Sequence, residues 1–290
     1  MAQASDAVAD DAERRRVDVL IPTYRRPTAL AVTLTSLVGQ TFRDFRVVVS
    51  DQGEAPACEA PEVRAVVRVL RARGVPVAIH RHLPPRGMAE QRQFLLDRAR
   101  GAYALFVDDD VILEPDLVER LVGALARHHC CFVGSAVIGL SYVDDVRPHQ
   151  QAIEFIDGEV TPESITPDMR EWQRHHLHSA ANLHHVATRL GLTRERERIY
   201  RVAWVGGCVL YDTAKLRESG GFQFWRELPA EHCGEDVFAQ QRVMARFGGC
   251  GLIPSGAYHQ ELPTTLPKRD VDAPKVLSLA SLAREGTLPA

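Results

Sequence analysis

The sequence predicts an α/β protein: a mostly parallel sheet flanked by helices on both faces, built as a single compact domain of two fused halves. Two observations carry that expectation. Short apolar, β-branched runs alternate with helical-period segments four times within about 110 residues. The polar residues that end three of these runs, Thr23, Asp51 and Asp108 to Asp110, would gather at the carboxyl edge of the sheet, where open α/β sheets bind ligands.

The elements follow in order. VDVLIPTY (17–24) is the first strand, ended by Pro22 and a polar turn. PTALAVTLTSLVGQ (27–40) is a helix with Pro27 at its first position and Leu30, Leu34, Leu37 and Val38 at helical spacing. FRVVVSD (45–51) is the second strand, and APEVRAVVRVLRARG (60–74) a helix closed by Gly74. VPVAIHRHL (75–83) is the third strand and MAEQRQFLLDRARG (88–101) another glycine-stopped helix. YALFV (103–107) is the fourth strand, followed by the helix PDLVERLVGALARH (115–128).

The second half is less regular. CCFVGSAVIGL (130–140) is a strand candidate, while residues 141–199 are polar and His-rich without a firm pattern. YRVAWVGGCVLYD (200–212) reads as a strand around a glycine pair. GEDVFAQQRVMARFG (234–248) is an amphipathic helix whose first turn carries Glu235 and Asp236, favourably placed at the positive helix end. CGLIPSGAYHQ (250–260) is a last strand and turn ending at His259. Residues 1–16 read as a disordered tail and 269–290 as a loosely attached one with at most a short helix. There are no internal repeats.

Composition excludes several classes. A formal charge of -3 gives no reason to expect a nucleic-acid partner, and the Arg clusters at 13–16 and 194–198 are interrupted or followed by acids. The six cysteines form no CxxC pair and fit neither a disulfide framework nor a zinc-finger spacing. They read as reduced thiols of a cytoplasmic protein. No stretch reaches the ~20 apolar residues of a membrane span, so no transmembrane segment is expected; peripheral membrane contact stays open. The cluster His175, His176, His178, His184 and His185 matches no standard zinc spacing. Trp172, Trp204 and Trp225 could stack on a sugar, with core packing as the default reading.

The centre of interest is YALFVDDDVILEPD (103–116), where an apolar strand runs into three carboxylates. An acidic, solvated turn would account for the triplet alone. The other reading is a cation site, since consecutive carboxylates are hard oxygen ligands suited to Mg²⁺ or Mn²⁺.

The ordered set VLIPTYRRP, VVVSDQG, GMAEQRQFLLDRARG, LFVDDDV, WVGGCVLYD, GGF and GEDVFAQQR resembles the family 2 glycosyltransferases of the GT-A fold over residues 17–260. That resemblance implies an inverting enzyme that moves a single sugar from a UDP-, GDP- or dTDP-sugar to an acceptor hydroxyl with Mn²⁺ or Mg²⁺. It implies a nucleotide-sugar half (17–113) and an acceptor-binding and catalytic half (114–268). Pro22, Thr23 and Tyr24 would border the nucleotide, with Arg26 within reach, and Asp51 would pair with its base. Asp108, Asp109 and Asp110 match the DxD motif: Asp108 faces the ribose or the metal, and Asp110 binds the cation. Gly206 and Gly207 would let backbone approach the donor sugar. Glu235 and Asp236 match the acidic pair that includes the base, the resemblance favouring Asp236, and His259 falls where some relatives add a metal ligand. The His-rich segment would serve the acceptor side.

Each residue has a plainer reading: Asp51 as a turn cap, the glycines as a bulge, the acidic pair as first-turn helix acids, His259 as structural. Ser50 stands where relatives often carry a second acid, and Gln93 where they often carry asparagine. Competing functions are a nucleotidyltransferase, a phosphoacceptor receiver-like module, and a non-catalytic sugar-nucleotide-binding relative. The first lacks its glycine-rich loop after strand one, and the second would carry its acids on the first strand.

Overall fold

The computed structural model describes residues 16–265 and 269–279. The expected N-terminal tail lies almost wholly outside them, as does the end of the C-terminal one.

The first half folds as its periodicities predict. Strands β1 (Val17–Thr23), β2 (Phe45–Asp51), β3 (Val77–Arg81) and β4 (Tyr103–Val107) alternate with helices α1 (Pro27–Val38), α2 (Pro61–Ala72) and α3 (Met88–Arg98). β3, β2, β1 and β4 lie side by side and parallel, in that order. All seven residues of β1 are buried, as a strand covered on both faces must be. Val19 and Ile21 pack with Leu30 and Leu34 of α1 and Val63 and Val67 of α2. Leu20 belongs to the core of the other face, with Leu95 and Leu96 of α3.

Three of the later strands are broken up. Beyond β5 (Val111–Leu113) and α4 (Leu117–His128), the run 130–140 contributes only β6 (Phe132–Gly134). Residues 200–212 are not one strand: β7 (Arg198–Tyr200) lies at the edge of the sheet, and β8 (Cys208–Asp212) lies beside β4. Residues 201–207 between them are irregular and end at the left-handed Gly207 (φ 80°), just before β8. Residues 250–260 also divide, into β9 (Gly249–Ile253) in the main sheet and β10 (Ala257–His259), which pairs antiparallel with β5 in a separate ribbon. Between them Gly256 turns the chain at φ 81°. A helix α5 (Asn182–Arg189) lies within the segment left unpatterned above, followed later by α6 (Thr213–Glu218) and α7 (Glu235–Phe247).

The eight-stranded sheet thus runs β3-β2-β1-β4-β8-β6-β9-β7, with β8 antiparallel to both its neighbours. The C-terminal segment is not loosely attached where it is described. Cys233 N–H donates to Val271 and Ala273 N–H donates back to Cys233, each at 2.9 Å. Ala273, in the short helix α8 (Ala273–Val276), is fully buried.

One buried charge ties the first half together. Asp18 on β1 is wholly enclosed and pairs with Arg46 on β2. It also accepts the amide hydrogens of Arg100 and, at 2.8 Å, of Gly101. Asp18→Ala strands the Arg46 guanidinium without its partner, which typically costs about 3–5 kcal/mol. Urea unfolding should show a loss of that size; a change below about 1 kcal/mol would contradict the assigned role.

Candidate active site

β4 ends in Asp108, Asp109 and Asp110, and α7 begins with Glu235 and Asp236. Both ends open on one cavity of about 420 Å³, whose wall also includes Pro22, Arg26, Met88, Arg92, Cys233, His259, Leu262, Thr264, Thr265 and Arg269.

The aspartate turn is pinned from beneath. Thr33 of α1 donates through its hydroxyl to the Asp109 carbonyl (2.8 Å) and accepts the Val111 amide hydrogen (3.1 Å). Gln260 N–H donates to the Asp110 carbonyl (2.8 Å). The Gly207 carbonyl accepts the Asp108 amide hydrogen (3.0 Å). At Gly207 a Cβ would lie 2.7 Å from a Val137 methyl, so glycine is required on steric as well as dihedral grounds. A Cβ on Gly206 would lie 3.8 Å from Asp236 Oδ2, so that α-carbon faces the acidic pair across open space.

The three aspartates differ. Asp109 points inward, accepts the Thr23 hydroxyl hydrogen at 2.6 Å and stands 3.6 Å from Arg26. Burial outweighs that hydrogen bond and, with Asp110 nearby, pushes its carboxyl up to about 7. Asp110 meets Arg26 Nη1 at 2.6 Å and His259 Nε2 at 3.4 Å. Burial pulls Asp110 upward, but the His259 hydrogen bond and the charges of His259 and Arg26 hold it below the usual carboxylate range. Asp108 is the most open of the three and takes one branch of Arg92 at 2.9 Å.

Arg92 is the residue that sequence reasoning missed. It is buried, its Nη2 on Asp108 and its Nε on Glu235, both at 2.9 Å. Burial would lower its proton affinity, but Asp108 and Glu235 raise it, so it stays a fixed cation. The available signal is its phase in α3. Ala89, Arg92, Gln93 and Leu96 are all buried, so Arg92 stands on the helix's inward stripe.

Glu235 is thereby committed to Arg92, while Asp236 stays half-buried on the cavity wall. Burial, then the neighbouring Glu235, push the Asp236 carboxyl up to about 7 against the pull of Arg92. Val237, Phe238 and Val243 are buried as expected and fix α7 in the core.

Other expected residues sit differently. Pro22 and Arg26 line the cavity. Thr23 acts through Asp109, and Tyr24 is half-buried with Arg25 4.8 Å over its ring. Asp51 is fully buried and accepts amide hydrogens from Gly53 (2.9 Å) and Cys58 (3.1 Å), with Arg81 at 3.2 Å. These contacts are those of a turn cap and take up part of the carboxylate's acceptor capacity. In the His-rich segment, His175 stacks on Trp204 (4.8 Å, 14°) and His178 meets the Tyr200 hydroxyl at 3.0 Å.

Among the described residues, no group of three or more His, Cys, Asp or Glu side chains is gathered to hold a metal by itself. Asp110 and His259 supply two converging donors, and Mg²⁺ or Mn²⁺ commonly takes one or two carboxylates together with substrate phosphates. The donor set therefore fits a cation shared with a diphosphate. His259 Nδ1 accepts the Glu261 amide hydrogen at 2.7 Å, which leaves the ring proton on Nε2, facing Asp110; to ligate a cation through Nε2 the ring would have to give up the Glu261 contact and carry its proton on Nδ1.

This geometry, carboxylates at a strand end facing a carboxylate pair at a helix start, goes with a recognised class. The profile of Glycosyl transferase family 2 matches residues 18–187, more than half of the chain, and the chain belongs to that family. It is 32% identical to the Rhizobium meliloti succinoglycan biosynthesis protein ExoM over 113 residues, 38% of this chain and 35% of that protein. It is 26% identical to an uncharacterized glycosyltransferase of Haemophilus influenzae over 112 residues, 39% of this chain and 35% of that one. These matches span about a third of either relative's length. Among solved structures, S. aureus TarS 1-349 in complex with UDP-GlcNAc superposes with a TM-score of 0.53 at 16% identity, covering 87% of this chain and 60% of that one. The likeness is one of fold, and the fold is GT-A. No described helix is long and apolar enough to cross a membrane.

An Asp whose proton affinity is raised on folding destabilises the fold once ionised. The effect is absent below its unfolded value near 4 and complete above about 7. Asp236→Asn should therefore melt above wild type at pH 8, the gap closing as pH falls toward 4. A gap independent of pH would refute the burial argument.

Proposed function

We propose that this chain transfers a single sugar from a UDP-, GDP- or dTDP-sugar to an acceptor hydroxyl, with inversion and with Mn²⁺ or Mg²⁺, in the cytoplasm. The observation that carries the reading is the facing of Asp108 to Asp110 and Glu235–Asp236 across one cavity, with Arg92 bridging them. The six cysteines, all free, agree with a reducing compartment.

Asp110 and His259, with Asp108 beside them, would hold the cation, which when bound supplies Lewis-acid stabilisation to the leaving diphosphate. The donor lies against residues 17–113, bordered by Pro22 and Arg26, and the acceptor enters from residues 114–268. Asp51, at the end of β2, would accept hydrogen bonds from the donor base while holding the turn that follows. Gly206 leaves room for the transferred sugar beside Asp236. Asp236 takes the acceptor hydroxyl proton, and the released oxygen attacks the anomeric carbon from the side opposite the diphosphate. Glu235 orients this step through Arg92 and cannot itself turn freely to the acceptor. A raised proton affinity suits Asp236 to the task, since a general base works best when its affinity is matched to the ambient pH.

The test is a panel of UDP-, GDP- and dTDP-sugars with Mn²⁺, read by thermal shift, followed by NMR of the product's anomeric configuration. A ligand at 100 times its dissociation constant stabilises by about 2.7 kcal/mol. Retention of configuration, or no donor shift with any nucleotide, would sink the reading. Asp110→Ala should abolish the metal-linked part of nucleotide binding and leave the fold intact.

For the base, Asp236→Asn should lower turnover by ~10²–10⁴-fold while donor and metal still bind. In wild type, kcat/KM should rise with pH and level off above about 7, because only ionised Asp236 accepts the proton. If Glu235→Gln loses turnover and Asp236→Asn does not, the base is Glu235.

A further inference from the structure

Asp110 already has a cationic partner. Arg26 Nη1 sits 2.6 Å from Asp110 Oδ2 and 3.6 Å from Asp109 Oδ1. The pair is shielded, the Arg26 and Asp110 side chains being 15% and 8% exposed, so solvent screens it little. The other branch of the same guanidinium, Nη2, donates to the Pro263 carbonyl. Pro263 belongs to the stretch 261–265, whose Leu262, Thr264 and Thr265 form part of the cavity wall. One side chain therefore neutralises the carboxylate expected to take the cation and fastens a wall of the donor cavity.

Two positive charges cannot share one carboxylate oxygen at ligand distance without strong repulsion. We propose that Arg26 is a built-in counter-ion which a divalent cation must displace from Asp110, and that its departure unlatches residues 262–265 from the mouth of the donor cavity. The freed guanidinium, a planar fork suited to phosphate oxygens, then turns to the donor diphosphate. Metal and donor binding are thereby coupled: the phosphates give Arg26 a new partner, and its removal exposes Asp110 to the cation. The backbone offers a pivot beside the latch, since Glu261 is held at φ 58° and its carboxylate is anchored to Ser141. This inference rests on the sugar-transfer reading for the identity of the cation and the diphosphate.

The test is Mn²⁺ binding to the full chain, followed by the electron paramagnetic resonance signal of free Mn²⁺, without nucleotide and with saturating UDP. Arg26→Gln should bind Mn²⁺ alone about tenfold or more tightly than wild type, the scale of one charged hydrogen bond removed. UDP should strengthen Mn²⁺ binding by a larger factor in wild type than in Arg26→Gln. Arg26→Lys keeps a charge near Asp110 but loses the fork. It should hold Mn²⁺ off nearly as wild type does, yet show the faster amide hydrogen exchange at Leu262, Thr264 and Thr265 expected of Arg26→Gln. Its wild-type-like charge keeps the test decisive if Arg26→Gln folds poorly. Equal Mn²⁺ affinity in wild type and Arg26→Gln, including binding to neither, overturns the counter-ion. Unchanged exchange in both variants overturns the latch. If Mn²⁺ and UDP bind together normally while these effects are missing, only this inference falls. If no protein binds Mn²⁺ with any nucleotide, the sugar-transfer reading falls with it.

Discussion

Arg92 holds the site together. Five carboxylates, Asp108, Asp109, Asp110, Glu235 and Asp236, line one cavity, and like charges at such range repel. Arg92 ties the end of β4 to the start of α7 by pairing Asp108 with Glu235 from a buried position. Its third contact, over the Phe106 ring at 5.7 Å, sets the guanidinium against the strand that delivers the aspartates. Removing either carboxylate would leave a buried charge short of a partner, the costly case for interior ion pairs. The relative placement of the aspartate turn and the acidic pair thus follows from one side chain of α3.

The first half of the fold was legible because each element is a continuous apolar run bounded by proline, glycine or a polar turn. The strand expected at 17–24 is β1 at Val17–Thr23, and the helix expected at 27–40 is α1 at Pro27–Val38. The second half was not, for a physical reason. β6 and β7 have three residues each, too few to display a period of two. Their pairing depends on distant partners: β6 finds β8 on one side and β9 on the other. The segment 200–212 looked like one strand because apolar residues stand on both sides of its glycine pair; the chain is irregular from 201 to 207, and that stretch ends at a left-handed glycine.

The site shows the same division. The carboxylates stood out as a motif, since charge following an apolar strand demands an explanation. Arg92 did not, because arginine in a helix ordinarily marks a solvated face, and only its phase among Ala89, Gln93 and Leu96 separates it from Arg98. Asp51 was identified as a polar strand end, but a strand end alone does not say which way the carboxylate turns. It turns to the amides of Gly53 and Cys58. Thr33 and Gln260, which pin the aspartate turn, carry no signal of their own in sequence, because their contacts join α1 and the stretch after β10 to residues far away along the chain.

The two arginines divide the work of charge compensation by their surroundings. Arg92 is enclosed and pairs with carboxylates on both sides, so it serves as a tie between them. Arg26 stands at the cavity wall and shares its guanidinium between a carboxylate and a backbone carbonyl, a neutral acceptor that holds a cation less strongly than phosphate would. Asp236 accepts the Val237 amide hydrogen at 2.9 Å, and among the described residues no guanidinium stands at hydrogen-bond distance from it. Burial and the neighbouring Glu235 outweigh the pull of Arg92 on Asp236 and raise its proton affinity to about 7. The compensation that stabilises Glu235 is thus the same compensation that leaves its neighbour with a raised proton affinity.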